Sequence, residues 1–247
     1  MLRATIDADV FREAVDAIAA LVSECRLHVD NEGMRTRAVD TANVAMVSLE
    51  LGPDAFEAFE ASPSPLGIDV TKLKNIIGMV NRGDTLTLAI PEGSQRLNLA
   101  FQSYQYSLTL LDPNTIRKDP NAPTLELPGT VVLEGTRLTN AIKAAAVVSD
   151  KIALGIDPEA KVFFMEAEGD TDNIRLELGP DDVESLSEVR ARSLFSLDYL
   201  KDMAKTMSRA ATVEIGLGLD HPVRFTFEIA GGKGRVVYLL APRIEAD

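Results

Sequence analysis

The chain has 247 residues, a mass of 26.7 kDa and 46% apolar residues, enough to form the cores of two ordinary domains. This composition excludes a disordered chain, and the single Cys25 excludes an internal disulfide framework. No apolar run approaches the roughly 20 residues that cross a bilayer, and the N-terminus is strand-like rather than signal-like. We therefore expect a cytoplasmic protein.

The formal net charge is −13, from 25 basic and 38 acidic residues. This excess of acid argues against phosphate attraction as the main basis of nucleic-acid binding. Arginines outnumber lysines, and tryptophan is absent. At ~1 M salt the Debye length is only ~3 Å, so the self-repulsion of an acidic surface is screened. The composition indicates either adaptation to a salty cytoplasm or an ordinary acidic cytoplasmic protein.

The first half of the chain has the pattern of an α+β domain. Asp7 and Asp9 are side-chain caps for a helix, and Asp69 is the cap of a second helix. Apolar periodicity predicts a strand at 2–6, a helix at 10–22, strands at 25–30, 34–39 and 44–51, a loop at 61–65, a helix from 69 through 80, and antiparallel strands at 85–90, 97–101 and 104–111.

The strand at 44–51 carries an anomaly. Its core face is apolar throughout, but Val44 and Met46 begin an opposite face that continues with Ser48 and Glu50. By alternation, Val44 and Met46 are exposed unless something covers them. Two interpretations remain open here, a lapse in the pattern and part of a docking patch.

Residues 112–128, DPNTIRKDPNAPTLELP, are rich in proline and charge and have no apolar period. Such a stretch is typical of an extended connector between domains. The segments on either side of it resemble each other, since Leu51-Gly52-Pro53-Asp54 returns 127 positions later as Leu178-Gly179-Pro180-Asp181. Several other apolar segments match at the same offset. We predict two similar domains, at 1–111 and 129–247, joined by the linker 112–128.

The second half repeats the predicted plan. A strand at 130–133 precedes a helix whose inward residues include Leu138 and Ile142, and strands follow between residues 151 and 178. A helix from Asp198 and strands at 212–217, 222–229 and 235–240 complete it. The predicted order of elements in each half is therefore strand, helix, strands, helix, strands.

Motifs for catalysis, nucleotides and metals are missing from this sequence. It has no phosphate-binding loop and no dinucleotide fingerprint, and 231–234 (GGKG) lies between two strands as a hairpin turn. His28 and His221 have no cysteine or histidine cluster nearby, so we predict no zinc site. The segment 170–173 begins like a calcium loop, but Ile174 and Arg175 occupy positions that need an oxygen ligand and a glycine. We predict no catalytic residues, no metal and no cofactor.

Three segments, 37–44 (RAVDTANV), 195–200 (FSLDYL) and 238–244 (YLLAPRI), together with the tandem plan and the linker, resemble the DNA sliding clamp of archaea and eukaryotes, the proliferating cell nuclear antigen family. The resemblance runs the full length, and the acidic composition suggests a haloarchaeal member. It implies a homotrimeric ring of pseudo-sixfold symmetry, with two helices per domain lining a central hole around duplex DNA and antiparallel sheets outside.

The function that this resemblance implies is that of a processivity factor without enzymatic activity. The ring would be opened by a clamp loader and would tether DNA polymerase and other replication and repair enzymes through a short peptide motif. The motif would enter an apolar pocket beneath the linker. The residues that match this pocket are Val39, Asp40, Asn43, Val44, Met46, Leu125, Leu127, Pro222, Leu239, Ala241 and Pro242.

Two further sets of residues follow from the resemblance and the helical pattern. The DNA-facing cations are Arg12, Lys72, Lys143, Lys201, Lys205 and Arg209. Asp198 and Asn75 stand where the family often has a cation, so we expect weak direct affinity for DNA. The trimer joint would pair 104–111 of one subunit with 170–178 of the next, through Tyr106, Leu108, Leu110, Ile174 and Leu176.

Two alternative functions compete with the clamp. An enzyme with a site assembled between subunits needs a cluster of titratable groups in a cleft, and the sequence shows none. A clamp-like paralogue acting outside the replisome would keep the fold, and partner binding would distinguish it.

Overall fold

The computed structural model describes residues 1–244, which form two compact units. The first unit comprises Met1–Thr41, Met46–Asn121 and Ile229–Val236, and the second comprises Ala42–Ala45, Ala122–Glu228 and the chain from Val237. In this described part, each half of the sequence carries nine strands and two α-helices in the same order. The predicted α+β class is confirmed.

The first half forms two antiparallel runs of strands, ordered β5-β1-β7-β8-β9 and β4-β3-β2-β6, and its two helices pack on each other. Its elements are β1 (Leu2–Asp7), α1 (Ala8–Ala19), β2 (Glu24–Asp30), β3 (Gly33–Val39), β4 (Ala45–Leu51), β5 (Ala58–Ala61), β6 (Ser64–Asp69), α2 (Val70–Ile77), β7 (Thr85–Ile90), β8 (Arg96–Phe101) and β9 (Tyr104–Thr109).

The second half repeats this topology, with strand orders β14-β10-β16-β17-β18 and β13-β12-β11-β15. Its elements are β10 (Gly129–Glu134), α3 (Gly135–Val148), β11 (Lys151–Asp157), β12 (Val162–Glu168), β13 (Asn173–Leu178), β14 (Ser185–Leu186), β15 (Ala191–Ser196), α4 (Leu197–Met207), β16 (Thr212–Leu217), β17 (Val223–Ile229) and β18 (Gly234–Leu240). Among residues 1–244, no helix combines the length and apolarity needed to span a bilayer.

Both helices of the first half end early, and they begin at the predicted caps Asp7 and Asp69, whereas the other predicted cap, Asp9, lies inside the first helix. The Asp7 carboxylate accepts the backbone N–H groups of Asp9 and Val10, and Asp69 accepts that of Lys72 at 2.9 Å. The first helix ends at Ala19 rather than at residue 22, and the second ends at Ile77 rather than at residue 80. Beyond α2, Val80 N–H bonds the Ile77 carbonyl in a 3₁₀-like turn, whereas beyond α1 both Leu21 and Val22 N–H bond the Ile18 carbonyl.

The predicted loop at 61–65 is wrong in part. Ala61 ends β5, and Ser64 and Pro65 begin β6, an edge strand whose one neighbouring strand is β2. An edge strand tolerates proline because one side of its backbone needs no partner. The pairing of Pro65 with His28 shows that the strand runs through the proline.

One of the buried polar contacts in the core of the second unit joins a tyrosine to a threonine. Tyr238 of β18 is 0% exposed, and its hydroxyl lies 2.9 Å from Thr206 Oγ1 of α4. Close packing of α3 on α4 depends on Gly135, because a Cβ there would lie 2.0 Å from the carbonyl oxygen of Met207. Helix α4 is thus fixed to both a strand and the neighbouring helix.

Candidate functional site

The linker begins with a segment held tightly by the first unit. Leu111 N–H donates to the carbonyl of Gly67 in β6 at 2.9 Å, and Ile116 is only 5% exposed. A Cβ at Gly67 would lie 2.2 Å from the Leu111 carbonyl oxygen, so only glycine permits this approach. The linker therefore starts from a fixed position on β6.

Side chains of β2 and β3 hold the next part of the linker. Arg26 donates through Nη2 to the Ile116 carbonyl at 2.8 Å, and His28 Nε2 lies 2.5 Å from the Asp119 carboxylate. Arg37 contributes a longer bond, 3.4 Å, to the carbonyl of Pro120. Residues 111–120 are thus tied down by main-chain and side-chain contacts, because charged donors satisfy carbonyls that the extended chain leaves open.

The second part of the linker carries the two leucines of the predicted pocket. Leu125 and Leu127 are half-buried between exposed neighbours. Leu127 lies on β16, where a Cβ at Gly216 would be 3.2 Å from Leu127 Cδ1. Gly216 therefore leaves space for the Leu127 side chain because it has no side chain of its own. The sequence pattern did not predict this role of Gly216.

The segment after β18 is tied to the loop before β4. Ala241 N–H donates to the Val44 carbonyl at 2.8 Å, which brings two predicted pocket residues together within the second unit. Asn43 beside them has a left-handed backbone, with φ of 61°, a conformation that asparagine tolerates better than most residues. Val44, Leu239, Ala241 and Pro242 are all half-buried, as residues on the wall of an open apolar groove would be.

Arg243 anchors the end of this segment. Its backbone N–H donates to the Leu194 carbonyl at 2.7 Å, and its Nη1 lies 2.7 Å from the Asp150 carboxylate. The hydrogen bond from Arg243, with its charge, lowers the pKa of Asp150 below the ordinary 3.8. Asp150 therefore stays ionised and keeps this anchor under mildly acidic conditions.

The remaining predicted pocket residues have mixed exposure. Met46 is only 8% exposed, so of the two possibilities that alternation left open, exposure or cover by other residues, the structure shows cover. Alternation predicts which face of a strand a side chain occupies. It does not predict whether residues distant in sequence pack against that face. Val39 and Pro222 are half-buried, and Asp40 is buried, with its carbonyl accepting Arg117 Nη1 at 2.9 Å.

The predicted DNA-facing cations are mostly engaged with carboxylates one helical turn away. Lys201 lies 2.8 Å from Asp198, and Lys205 lies 2.6 Å from Asp202. The helix cap Asp69 holds Lys72 in the same way at 3.3 Å. These pairs are exposed, and they leave little uncompensated positive charge along the helices.

Arg12 has a structural role that the helical pattern did not predict. Its guanidinium pairs with Asp9 and donates to the carbonyls of Ile77 and Val80 at 3.2 and 2.6 Å. Arginine thus satisfies carbonyls that the end of α2 leaves open. Lys143 and Arg209 are exposed on or beside the helices of the second half.

The predicted trimer-joint residues lie mainly on two strands at sheet edges. Strand β9 ends one strand order and β13 ends another. On β9, Tyr106 stacks on Phe101 with ring centroids 5.9 Å apart, and its hydroxyl lies 3.6 Å from Met79 Sδ. Leu108 is buried at 7% exposure, and Leu110 lies just beyond the strand. Ile174 and Leu176 of β13 line a hollow of about 400 Å³ beside α3.

Comparison with known proteins identifies the family. The sequence pattern of the proliferating cell nuclear antigen N-terminal domain matches residues 1–112. The DNA polymerase sliding clamp of Methanosphaerula palustris is 70% identical over 100% of both chains, and that of Natronomonas pharaonis is 44% identical over 100% of both. A. fulgidus PCNA, solved with the C-terminal region of FEN-1 bound, superposes with a TM-score of 0.95 at 36% identity and covers 100% of both chains.

The haloarchaeal part of the expectation receives only partial support, because the Methanosphaerula clamp is much more similar than the Natronomonas one. The clamp resemblance itself is confirmed over the full length, and so is the fold of two tandem clamp domains. The chain belongs to the DNA polymerase sliding clamps of the proliferating cell nuclear antigen family.

Proposed function

We propose that this chain forms a homotrimeric ring around duplex DNA and tethers DNA polymerase and other replication and repair enzymes to it, without catalysis of its own. The observation that carries the proposal is the full-length identity of 70% to a DNA polymerase sliding clamp. It acts in the cytoplasm on chromosomal DNA, and a clamp loader opens the ring. Its working parts are a first domain at 1–111, a linker at 112–128 and a second domain at 129–247.

Two bare sheet edges support the trimer. Strand β9 presents exposed Tyr104 and half-buried Tyr106, and β13 borders the hollow of about 400 Å³ that Ile174 and Leu176 line. Pairing β9 of one subunit with β13 of the next would leave neither edge exposed. It would also allow the tyrosines of β9 to pack against the apolar hollow beside β13.

Light scattering in molar KCl tests the ring. We expect a mass of about three times 26.7 kDa. Changing Tyr106 to Ala should shift the mass toward the monomer, whereas Tyr199→Ala, on a helix distant in sequence from both edge strands, provides a matched aromatic control. A wild-type monomer at all concentrations would contradict the proposal.

The partner-motif pocket is formed, in this proposal, by the linker leucines and the half-buried residues around Val44 and Ala241. FEN-1 binds the A. fulgidus protein through its C-terminal region, which agrees with capture of a short peptide. The double change Met46→Ala with Leu239→Ala removes apolar anchors, and each truncated anchor costs about 2 kcal/mol at a hot spot. We expect loss of polymerase stimulation while the trimer mass stays unchanged.

The matched control for the pocket is Leu219→Ala with Val189→Ala. Both side chains are exposed, at 56% and 39%, and both lie outside the proposed pocket. Their truncation should leave polymerase stimulation intact. Normal stimulation by the Met46 and Leu239 double variant would remove the pocket assignment, while stimulation absent even from the wild-type chain would favour a paralogue outside the replisome.

Direct attraction of DNA should be weak, because enclosure rather than phosphate contact holds the duplex. The carboxylates beside Lys72, Lys201 and Lys205 support this, since each lies within 3.3 Å of its ammonium group. Every phosphate that is neutralised adds about 0.9 to the slope of log affinity against log salt. We expect a shallow slope for linear duplexes, and a steep slope would contradict enclosure as the main mode.

A further inference from the structure

A cavity of about 460 Å³ lies within the first unit, under the start of the linker. Its walls come from the end of α1, the beginning of β2, the end of β3, the middle of α2 and residues 116–118 of the linker. Cavities of 300–1,000 Å³ are of the size that binds small molecules. The sliding-clamp function as described above uses only Val39 of this lining, in the partner-motif pocket, and gives the basic residues of the cavity no role.

The lining of this cavity is cationic, although the chain as a whole is acidic. Five basic residues line it, whereas Glu24 is its single carboxylate; the five are Arg26, Arg37, Lys74, Arg117 and Lys118. A cleft lined by one sign of charge focuses the field and concentrates ions of the opposite sign. A net charge of −13 makes such a local reversal of sign a distinct feature of this surface.

Four of these cations have no carboxylate partner within residues 1–244, namely Arg26, Arg37, Arg117 and Lys118. Several other cations of the same unit do have a carboxylate partner, as in the pairs of Arg35 with Asp30 and of Lys72 with Asp69. Lys74 of the cavity is also paired, at 3.3 Å from Asp16. The positive charge that remains in the cavity is therefore that of the four unpaired residues.

The three arginines are held in place by neutral groups. Arg26 and Arg117 donate to the carbonyls of Ile116 and Asp40, and Arg37 donates through Nε to Ser48 Oγ at 3.0 Å. A carbonyl or hydroxyl acceptor orients a guanidinium without cancelling its charge. Each guanidinium has five N–H donors, so further donors remain for a ligand. Arginine forks match the geometry of phosphate and carboxylate oxygens.

We propose that this cavity binds a small phosphate-bearing anion with at least two negative charges, held by Arg37, Arg117 and Lys118. A multiply charged phosphate can neutralise several cations at once, whereas a single carboxylate would leave most of them uncompensated. The apolar part of the wall, formed by Ala20, Val22, Ala38 and Val39, allows two sources of this chemistry. One is a free polyphosphate, and the other is the phosphate group of a nucleotide.

Isothermal titration calorimetry with pyrophosphate and with dATP, both free of metal, tests the proposal. The titration uses the full chain at the lowest KCl concentration at which circular dichroism shows it folded. We expect one pyrophosphate per chain with a sub-millimolar Kd. Equal affinity for dATP indicates that phosphate alone is recognised, and tighter binding of dATP indicates that the apolar wall contacts the nucleoside.

Lys118→Gln is the decisive variant, because Lys118 makes no hydrogen bond or ion pair among the described residues and its loss should not disturb the linker. Losing one charge-assisted contact should weaken pyrophosphate binding roughly tenfold or more. Arg37→Gln should weaken it similarly. Arg82→Gln, which removes an exposed charge outside the cavity, is the matched control and should leave the Kd unchanged.

Three results would overturn the proposal. They are no heat of binding with pyrophosphate, a Kd that Lys118→Gln and Arg37→Gln leave unchanged, and an equal loss in Arg82→Gln, which would indicate only a general effect of net charge.

Discussion

The close approach of β6 to the linker predicts a large effect of adding one methyl group. In Gly67→Ala the new Cβ would lie 2.2 Å from the Leu111 carbonyl oxygen and 3.0 Å from Ile116 Cδ1. The oxygen belongs to the backbone, so it cannot rotate away as a side chain would. The linker must move away by about 1.2 Å before the new Cβ and the Leu111 oxygen are 3.4 Å apart, the shortest ordinary contact distance.

Two losses accompany this retreat. The 2.9 Å hydrogen bond from Leu111 N–H to the Gly67 carbonyl is worth about 1 kcal/mol. Ile116, now 5% exposed, would lose part of the roughly 1.5–3 kcal/mol that its full burial contributes. We therefore expect Gly67→Ala to lower the free energy of detaching residues 111–116 by about 2–3 kcal/mol.

Hydrogen exchange of the peptide covering residues 111–120 measures this local opening. A loss of 2–3 kcal/mol corresponds to exchange at Leu111 that is roughly 30- to 150-fold faster. Gly179→Ala is the matched control, because the nearest atom to its new Cβ is 4.0 Å away. Equal exchange rates at Leu111 in the two variants would refute the reasoning that the linker depends on this glycine.

Three smaller predictions concern single groups. Tyr238→Phe removes the buried bond to Thr206 and should lower the free energy of unfolding by about 1 kcal/mol in denaturant titrations; no change would show that the bond is not stabilising. Arg243→Gln should return the pKa of Asp150 toward 3.8 in carboxyl NMR titrations. Because the lowered pKa stabilises the fold above pH 3.8 and loses this effect as pH falls through the lowered value, the variant should lose less stability on acidification. Burial raises the pKa of the Cys25 thiol from 9.0 to about 11. The stability that the fold gains from keeping this thiol protonated is therefore complete below pH 9 and is lost as pH rises toward 11. Iodoacetamide at pH 8 should react far more slowly with Cys25 in the folded chain than in urea, and equal rates would contradict its burial.

The sequence alone determined the plan of this protein, because the signals for it are local or repeated. Apolar periodicity located most strands and all four helices, and the caps Asp7 and Asp69 were predicted from the residues that precede each helix. The match of Leu51–Asp54 to Leu178–Asp181 indicated a duplicated fold without any knowledge of the tertiary structure. Resemblance then connected that fold with the sliding clamps.

Only the tertiary structure decided how individual side chains are used, because their partners are distant in sequence. Arg12 occupies the polar side of a helix, yet it donates to carbonyls at and just beyond the end of α2, more than sixty residues away. Met46 lies on the face that alternation leaves open, yet it is buried. The linker has the composition of a flexible connector, but residues 111–120 are held through Gly67 and the charged groups of β2 and β3. Periodicity describes which way a residue points, whereas long-range packing decides what it meets.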